Sequence, residues 1–178
     1  NDLSAETSKY FMKAPPANIL EFAISDRVIL VEGPSEYMLF EKFYETVTNH
    51  KPETDGVNII DVRGLSFKRY LELSKLIGEK TAVVTDNDHD YKRHCVDKYS
   101  DYAQTNNIKI FFSQDNKQNT FEVVLYNNNR NLCNELFGNA ALEYMLKNKT
   151  ESAYQLLLSE KEIIVPEYTR RAIEWIKE

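Results

Sequence analysis

The sequence predicts an α/β domain with a central, mainly parallel four-stranded sheet, helices on both faces and a helical C-terminal extension. Three observations carry this. Four short runs rich in β-branched or aromatic residues, at 28–31, 57–62, 81–85 and 108–112, are too short for helices and are bounded by Gly, Pro, Asp or Asn. The intervals between them show helical periodicity, so each strand is followed by a crossover that makes its neighbour parallel and right-handed. Beyond Thr120 the pattern is helical to the end.

The elements follow in order. Residues 3–13 form a short helix that Pro15 and Pro16 end, and 17–24 a second helical segment. The run Val28-Ile29-Leu30-Val31 reads as a buried strand closed by Gly33-Pro34, with Gly33 permitting the turn and Pro34 suiting a first helical position. Met38, Leu39, Phe43 and Val47 then recur at helical spacing across 35–48. The second strand, 57–62, leads through Gly64 to a helix at 67–77. The third, 81–85, opens the acidic stretch 86–90, after which Tyr91–Tyr102 reads as a helix. The fourth, 108–112, precedes helices around 142–146, 153–158 and 167–177, with the Asn-rich patch 127–131 as a loop. The expected organisation is a lead-in at 1–26, a core at 27–125 and a helical extension at 126–178.

Hydrophobic residues make up 42% and charged residues 28% of the 178 positions, which fits one globular core and excludes a disordered chain. No apolar run approaches the roughly 18 residues of a membrane span, so no membrane partner is expected. The net charge of −6 and pI near 5.2 argue against a surface coated in basic residues, while leaving room for an acidic site neutralised by metal. Cys95 and Cys133 lack CxxC spacing, which excludes a disulfide framework and a zinc site and points to a reduced, cytoplasmic setting. Residue 1 is Asn and no signal peptide follows, so the chain is expected to be a piece of something longer.

In open α/β sheets the functional crevice lies beyond the carboxyl ends of the strands. After the first strand stand Glu32 and, one helical turn on, Glu36; a favourable helix-dipole contact accounts for Glu36 equally well. After the third stands Asp86-Asn87-Asp88-His89-Asp90, three carboxylates in five residues. Such density suits Mg²⁺ or Mn²⁺, although an N-cap in a solvated acidic loop would look the same. An EF-hand loop fits poorly, because Tyr91 occupies the position that needs Gly. After the second strand, Gly64 would let a phosphate or backbone approach and Ser66 would cap the next helix; a plain turn and cap explains both. Glu122 and Lys161 are ambiguous from spacing alone. His50, His89 and His94 form no ligand set, and Lys68, Arg69, Lys92, Arg93, Arg170 and Arg171 are phosphate contacts or solvated helix faces.

Taken together, VILVEGPSE (28–36), Gly64 and VVTDND (83–88) resemble the TOPRIM domain, a Rossmann-like metal-binding module shared by topoisomerases, primases and several nucleases. Within that group, VILVEGPSEYMLFEKFYE (28–45), RGLSFKRYLEL (63–73), TFE (120–122) and EKEIIVPEYTRRAIEWI (160–176) resemble the OLD (overcoming lysogenization defect) family of ATP-dependent endonucleases. The resemblance implies a DNA endonuclease with two Mg²⁺ or Mn²⁺ ions per site. Glu32, Asp86 and Asp88 would hold the central metal, and Glu36, Asp90 and Glu122 would hold or support the second. Glu32 would also act in catalysis, Lys161 would lie near the scissile phosphate with Lys149 as its rival, and Gly64 and Ser66 would meet substrate. It further implies an ABC-type ATPase domain upstream, DNA as partner, a homodimer and a role in defence against phage. The competing readings are a non-catalytic TOPRIM scaffold, a phosphatase or phosphoacceptor domain, and a primase. A phosphatase or phosphoacceptor would carry an aspartate where Glu32 stands.

Overall fold

The computed structural model describes residues 3–13, 17–63 and 66–178. Four parallel strands, β1 (Arg27–Val31), β2 (Val57–Asp61), β3 (Lys80–Val84) and β4 (Ile108–Phe111), form one sheet in the order β2-β1-β3-β4. Strand alternation divides the side chains between two cores. Ile29, Val31, Ala82, Val84 and Phe111 point to one face. Val28, Leu30, Ile60, Val83 and Ile108 point to the other.

The first face is covered by α3 (Pro34–Thr48) and α9 (Glu167–Lys177), with α5 (Phe121–Asn128), α6 (Arg130–Phe137), α7 (Ala141–Lys147) and α8 (Lys149–Leu158) continuing the same core. The apolar stripe of α3 is Leu39, Phe40 and Phe43, and that of α9 is Ala172, Ile173 and Ile176, all fully buried. Burying one such side chain contributes about 1.5–3 kcal/mol. The second face is covered by α2 (Ile19–Ile24), α4 (Phe67–Ile77) and the segment 97–102, through Phe22, Tyr70, Leu71 and Tyr99. The first helix, α1 (Ala5–Lys13), lies against α4, where the Arg69 guanidinium stacks 3.7 Å from the Tyr10 ring centre and also meets Glu6. Helices thus lie on both faces, as the alternating pattern predicts.

Two expectations are corrected. Residues 91–102 do not form one regular helix: π-type turns at Lys92–Val96 run into 3₁₀ turns at Asp97–Tyr102, broken at Tyr99 with φ −113° and ψ 16°. Cys95, Tyr99 and Tyr102 still face the core, so the apolar spacing that suggests one helix is kept while the pitch changes along the segment. The Asn-rich patch is also not a loop. α5 runs to Asn128 and α6 starts at Arg130, with Asn129 as a buried joint. Its amide donates to the carbonyls of Leu125 and Ile164 and accepts from the Ile164 N–H, replacing solvent for those backbone groups.

Candidate metal centre

Successive strands diverge at β1: the chain leaves it for β2 on one side and reaches β3 on the other. That switch point is where an open α/β sheet forms a crevice. Glu32 follows β1 and Asp86 follows β3, and the two strand ends are tied together through Glu32. Its Oε1 accepts from the Thr85 hydroxyl at 2.6 Å and from the Asp86 backbone N–H at 2.9 Å. Gly33 is extended at φ −158°, so the turn needs no glycine for its backbone. A Cβ there would instead meet the Glu36 carboxylate at 3.6 Å, an ordinary contact.

Two helix N-termini add the next carboxylates. Pro34 opens α3 and places Glu36 in its first turn; Thr120 caps α5 by accepting from the Val123 N–H and places Glu122 in that first turn. Glu36 is 8% and Glu122 3% exposed, so helix-dipole stabilisation is not their whole role: a carboxylate kept only for the dipole would stay in water. Lys149, at the start of α8, extends its ammonium to Glu122 at 2.9 Å.

The charges are strongly coupled. Burial pushes Glu36 up to about 7; its own backbone hydrogen bond opposes this, Glu122 and Glu32 add to it, and Lys149 opposes it. Burial pushes Asp86 up to about 9, reinforced by Glu32, Glu36 and Glu122 and opposed by Lys149. The Tyr168 phenol, from the first turn of α9, lies well above its usual range because of burial and then because Asp86 and Glu36 repel its anion. Lys149 loses to burial but gains more from Glu122, Asp86 and Glu36, and ends above its usual range. Four carboxylates therefore share one poorly solvated space with a single ammonium among these groups.

The loop after β3 is built around Asn87, which is 1% exposed. Its amide donates to the carbonyls of Ser113, Asp115 and Gln118 and accepts from the His89 N–H, so the residue between the two aspartates clamps the β4–α5 loop. Asp88 and His89 both take positive φ, at 47° and 69°, and are exposed. The His89 ring contacts the Asn119 amide at 3.0 Å. Asp90 is exposed and accepts from the Arg93 N–H at 3.2 Å, a local cap on the π-type turns.

Of the residues singled out in the sequence, the structure brings Glu32, Glu36, Asp86 and Glu122 into one coupled group. Asp88 and Asp90 are exposed and are not among the charges that shift Glu36 and Asp86. Lys161 instead pairs with Glu135, both on exposed surface. Ser66 occupies the N-cap position of α4 without a side-chain cap bond, and Gly64 lies outside the described residues. Among the described residues, no three His, Cys, Asp or Glu side chains are already placed to hold an ion together. The donor set nevertheless fits a hard divalent cation: all oxygen, crowded, buried, with two members pushed up by burial and mutual repulsion that such an ion would relieve. Tyr168 and Asn87 are the members that sequence reasoning did not place, and Lys149 entered only as the rival of Lys161. Asn87 carries one signal, its position between the aspartates, whereas Tyr168 carries none short of the fold.

Residues 24–88 match the family model described as the TOPRIM domain of overcoming lysogenization defect protein-like proteins. A stretch of 64 residues, 36% of this chain, is 38% identical to Endonuclease GajA of Bacillus cereus (strain VD045). That stretch spans 11% of the relative's length. The fold superimposes with a TM-score of 0.66 on the C-terminal region of the Burkholderia pseudomallei OLD protein, at 17% identity over 86% of this chain and 98% of that one. It superimposes with a TM-score of 0.62 on the C-terminal region of the Xanthomonas campestris pv. campestris OLD protein, at 20% identity over 88% and 94%. At these identities the structural likeness is one of fold.

Proposed function

We propose a metal-dependent DNA endonuclease module of the OLD-like TOPRIM type, matched over residues 24–88, that hydrolyses phosphodiester bonds. The observation that carries this is the convergence of Glu32, Glu36, Asp86 and Glu122, with Lys149, at the switch point between β1 and β3. The endonuclease name of the relative over 64 residues supports it.

Glu32, Asp86 and Asp88 would hold one Mg²⁺ or Mn²⁺ ion, and Glu36, Glu122 and Asp90 would hold or support a second. When bound, such a pair supplies activation of the attacking water and stabilisation of the leaving oxygen. The protein's part is positioning. Thr85 and the Asp86 N–H fix the Glu32 carboxylate, and Asn87 holds the loop that carries Asp88. Lys149 supplies the positive charge beside the carboxylates that the sequence resemblance assigned to Lys161, and would offset charge on the phosphate as it builds. Tyr168 stays a neutral hydroxyl there.

With a net charge of −6, the module grips DNA weakly by itself. An upstream ABC-type ATPase domain and a homodimer would supply further contacts, in the cytoplasm and in defence against phage. The second reading, a non-catalytic TOPRIM scaffold, is favoured by one observation: among the described residues no three His, Cys, Asp or Glu side chains are already close enough to hold one ion together. Nicking of supercoiled plasmid in Mg²⁺ or Mn²⁺, beside EDTA and Asp86→Ala controls, separates the two. Nicking lost in both controls supports the nuclease; nicking unaffected by Asp86→Ala refutes the assignment, and none at high protein concentration favours the scaffold.

A further inference from the structure

Beside the carboxylates lies a cavity of about 280 Å³ that they do not use. It opens where β2 ends, at Asp61, Val62 and Arg63, and reaches Tyr37, Asn18 and Tyr70. The β1–β2 pairing persists to this point, because the Val62 N–H donates to the Val31 carbonyl at 2.9 Å. The cavity therefore begins one strand spacing, about 4.8 Å, from the strand that ends in Glu32. Tyr37 follows Glu36 directly in α3 and is 50% exposed, so one helical turn presents a carboxylate to the candidate metal centre and an aromatic ring to the cavity.

The walls are fixed. The Tyr70 phenol donates to Asn18 Oδ1 at 2.8 Å, and Asn18 Nδ2 donates to the Asp61 carbonyl at 3.0 Å. Arg63 stands at the rim with φ 48°, its side chain 81% exposed, and one of its five N–H donors engages Asp61 Oδ2 at 2.9 Å. Pockets for drug-sized ligands run from about 300 Å³ upward, so this cavity, just under that range, has room for one base and not for much larger groups. An open aromatic ring beside an arginine is the pairing that single-stranded nucleic acid meets, with the base on the ring and the phosphate on the cation. Glu21, which also lines the cavity, disfavours phosphate at its end and offers oxygens to base amino groups, while Arg63 keeps the donors that Asp61 does not take for phosphate.

We propose that this cavity is a nucleotide subsite, which holds the base next to the phosphate at the carboxylates by stacking on Tyr37 and the adjoining phosphate by Arg63. The proposal rests on the nuclease reading above and adds a determinant of which strand position enters the centre. Neither Tyr37 nor Arg63 touches the carboxylates, so both can be altered without disturbing them.

The test uses single strands about a dozen nucleotides long, with the fluorescent base 2-aminopurine at each position in turn. They are titrated with the chain in Ca²⁺ and then assayed for cleavage in Mg²⁺. Quenching at one position, affinity weakened about tenfold by Tyr37→Ala and restored by Tyr37→Trp, and a similar loss with Arg63→Gln at unchanged melting temperature are expected. Cleavage then shows a raised KM with kcat retained. Equal affinity of Tyr37→Ala and wild type, with wild-type cleavage intact, overturns the subsite and leaves the nuclease reading standing. No binding and no Mg²⁺-dependent cleavage of any strand by the wild type, even at high protein concentration, overturns both.

Discussion

Asp86→Asn keeps the shape of the side chain and removes its charge, so it should act in opposite directions with and without metal. In the metal-free protein Asp86 is pushed from 3.8 to about 9, first by burial and then by Glu32, Glu36 and Glu122. A carboxyl group whose pKa is raised on folding stabilises the fold fully below its unfolded value and loses that contribution as pH rises through the folded one. Up to pH 7 this spans about three pKa units, a ceiling of about 4 kcal/mol at 1.36 kcal/mol per unit. Solvent penetration and relaxation reduce the penalty in practice, and about 1–3 kcal/mol is the expected gain from the asparagine near pH 7. At about 2–4 °C per kcal/mol for a chain of this size, melting in EDTA should rise by several degrees at pH 7–8, with little difference near pH 4. In saturating Mg²⁺ the order reverses: ligand at about a hundred times its dissociation constant stabilises the wild type by about 2.7 kcal/mol, and the variant gains far less. A variant that melts below wild type in EDTA at pH 8, or that gains as much from Mg²⁺, would show that Asp86 is neither a crowded carboxylate nor a ligand.

Other perturbations probe separate parts of the molecule. Glu79 is buried before β3, neither of its carboxylate oxygens has a partner, and burial raises it from 4.5 to about 7. Glu79→Gln should therefore stabilise by about 1–3 kcal/mol above pH 7 and by almost nothing near pH 4, as read by melting across pH. Lys149→Met leaves Glu122 buried without its ammonium and should cost about 1–3 kcal/mol and most of the nicking activity. Lys161→Ala breaks only an exposed pair and should cost under about 1 kcal/mol with nicking intact; equal loss of nicking in both would reject the assignment of Lys149. Asn87→Ala removes the clamp on three carbonyls and should cost about 1–3 kcal/mol while weakening Mg²⁺ affinity; unchanged melting and affinity would show that the β4–α5 loop holds Asp88 without it.

Strands and their order of burial were readable because their signal is local. Val28-Ile29-Leu30-Val31 is apolar at each position since both faces of a parallel strand are covered, and β1 spans Arg27–Val31. Gly33-Pro34 marks the start of α3 in the sequence, while the end of α4 is set by Gly78, whose left-handed φ of 87° suits a C-cap. The segment 91–102 reads as one helix because Cys95, Tyr99 and Tyr102 keep a spacing that a single helix would also bury, and the Asn-rich patch reads as a loop because composition does not reveal burial. Asn129 is a loop residue by propensity, and it becomes a helix joint only when Ile164 arrives to pair with its amide.

The acidic half of the candidate site was legible for the same reason that its cation was not. Glu32 and Asp86 are placed by strand ends, and a strand end can be read from a few consecutive residues. Lys149 and Tyr168 reach the carboxylates from α8 and α9, whose positions are set by packing on the far side of the chain. α9 lies on the face formed by Ile29, Val31, Ala82 and Val84, and α8 packs against α3 through the same core. The hydrophobic contacts that close the sheet thus also deliver the ammonium to Glu122. Spacing in the sequence cannot choose between Lys149 and Lys161, because eleven residues of helix and turn lie between them and only the fold decides which one faces an acid at the switch point. A centre assembled in this way ties its charge balance to the packing of helices remote from the motif.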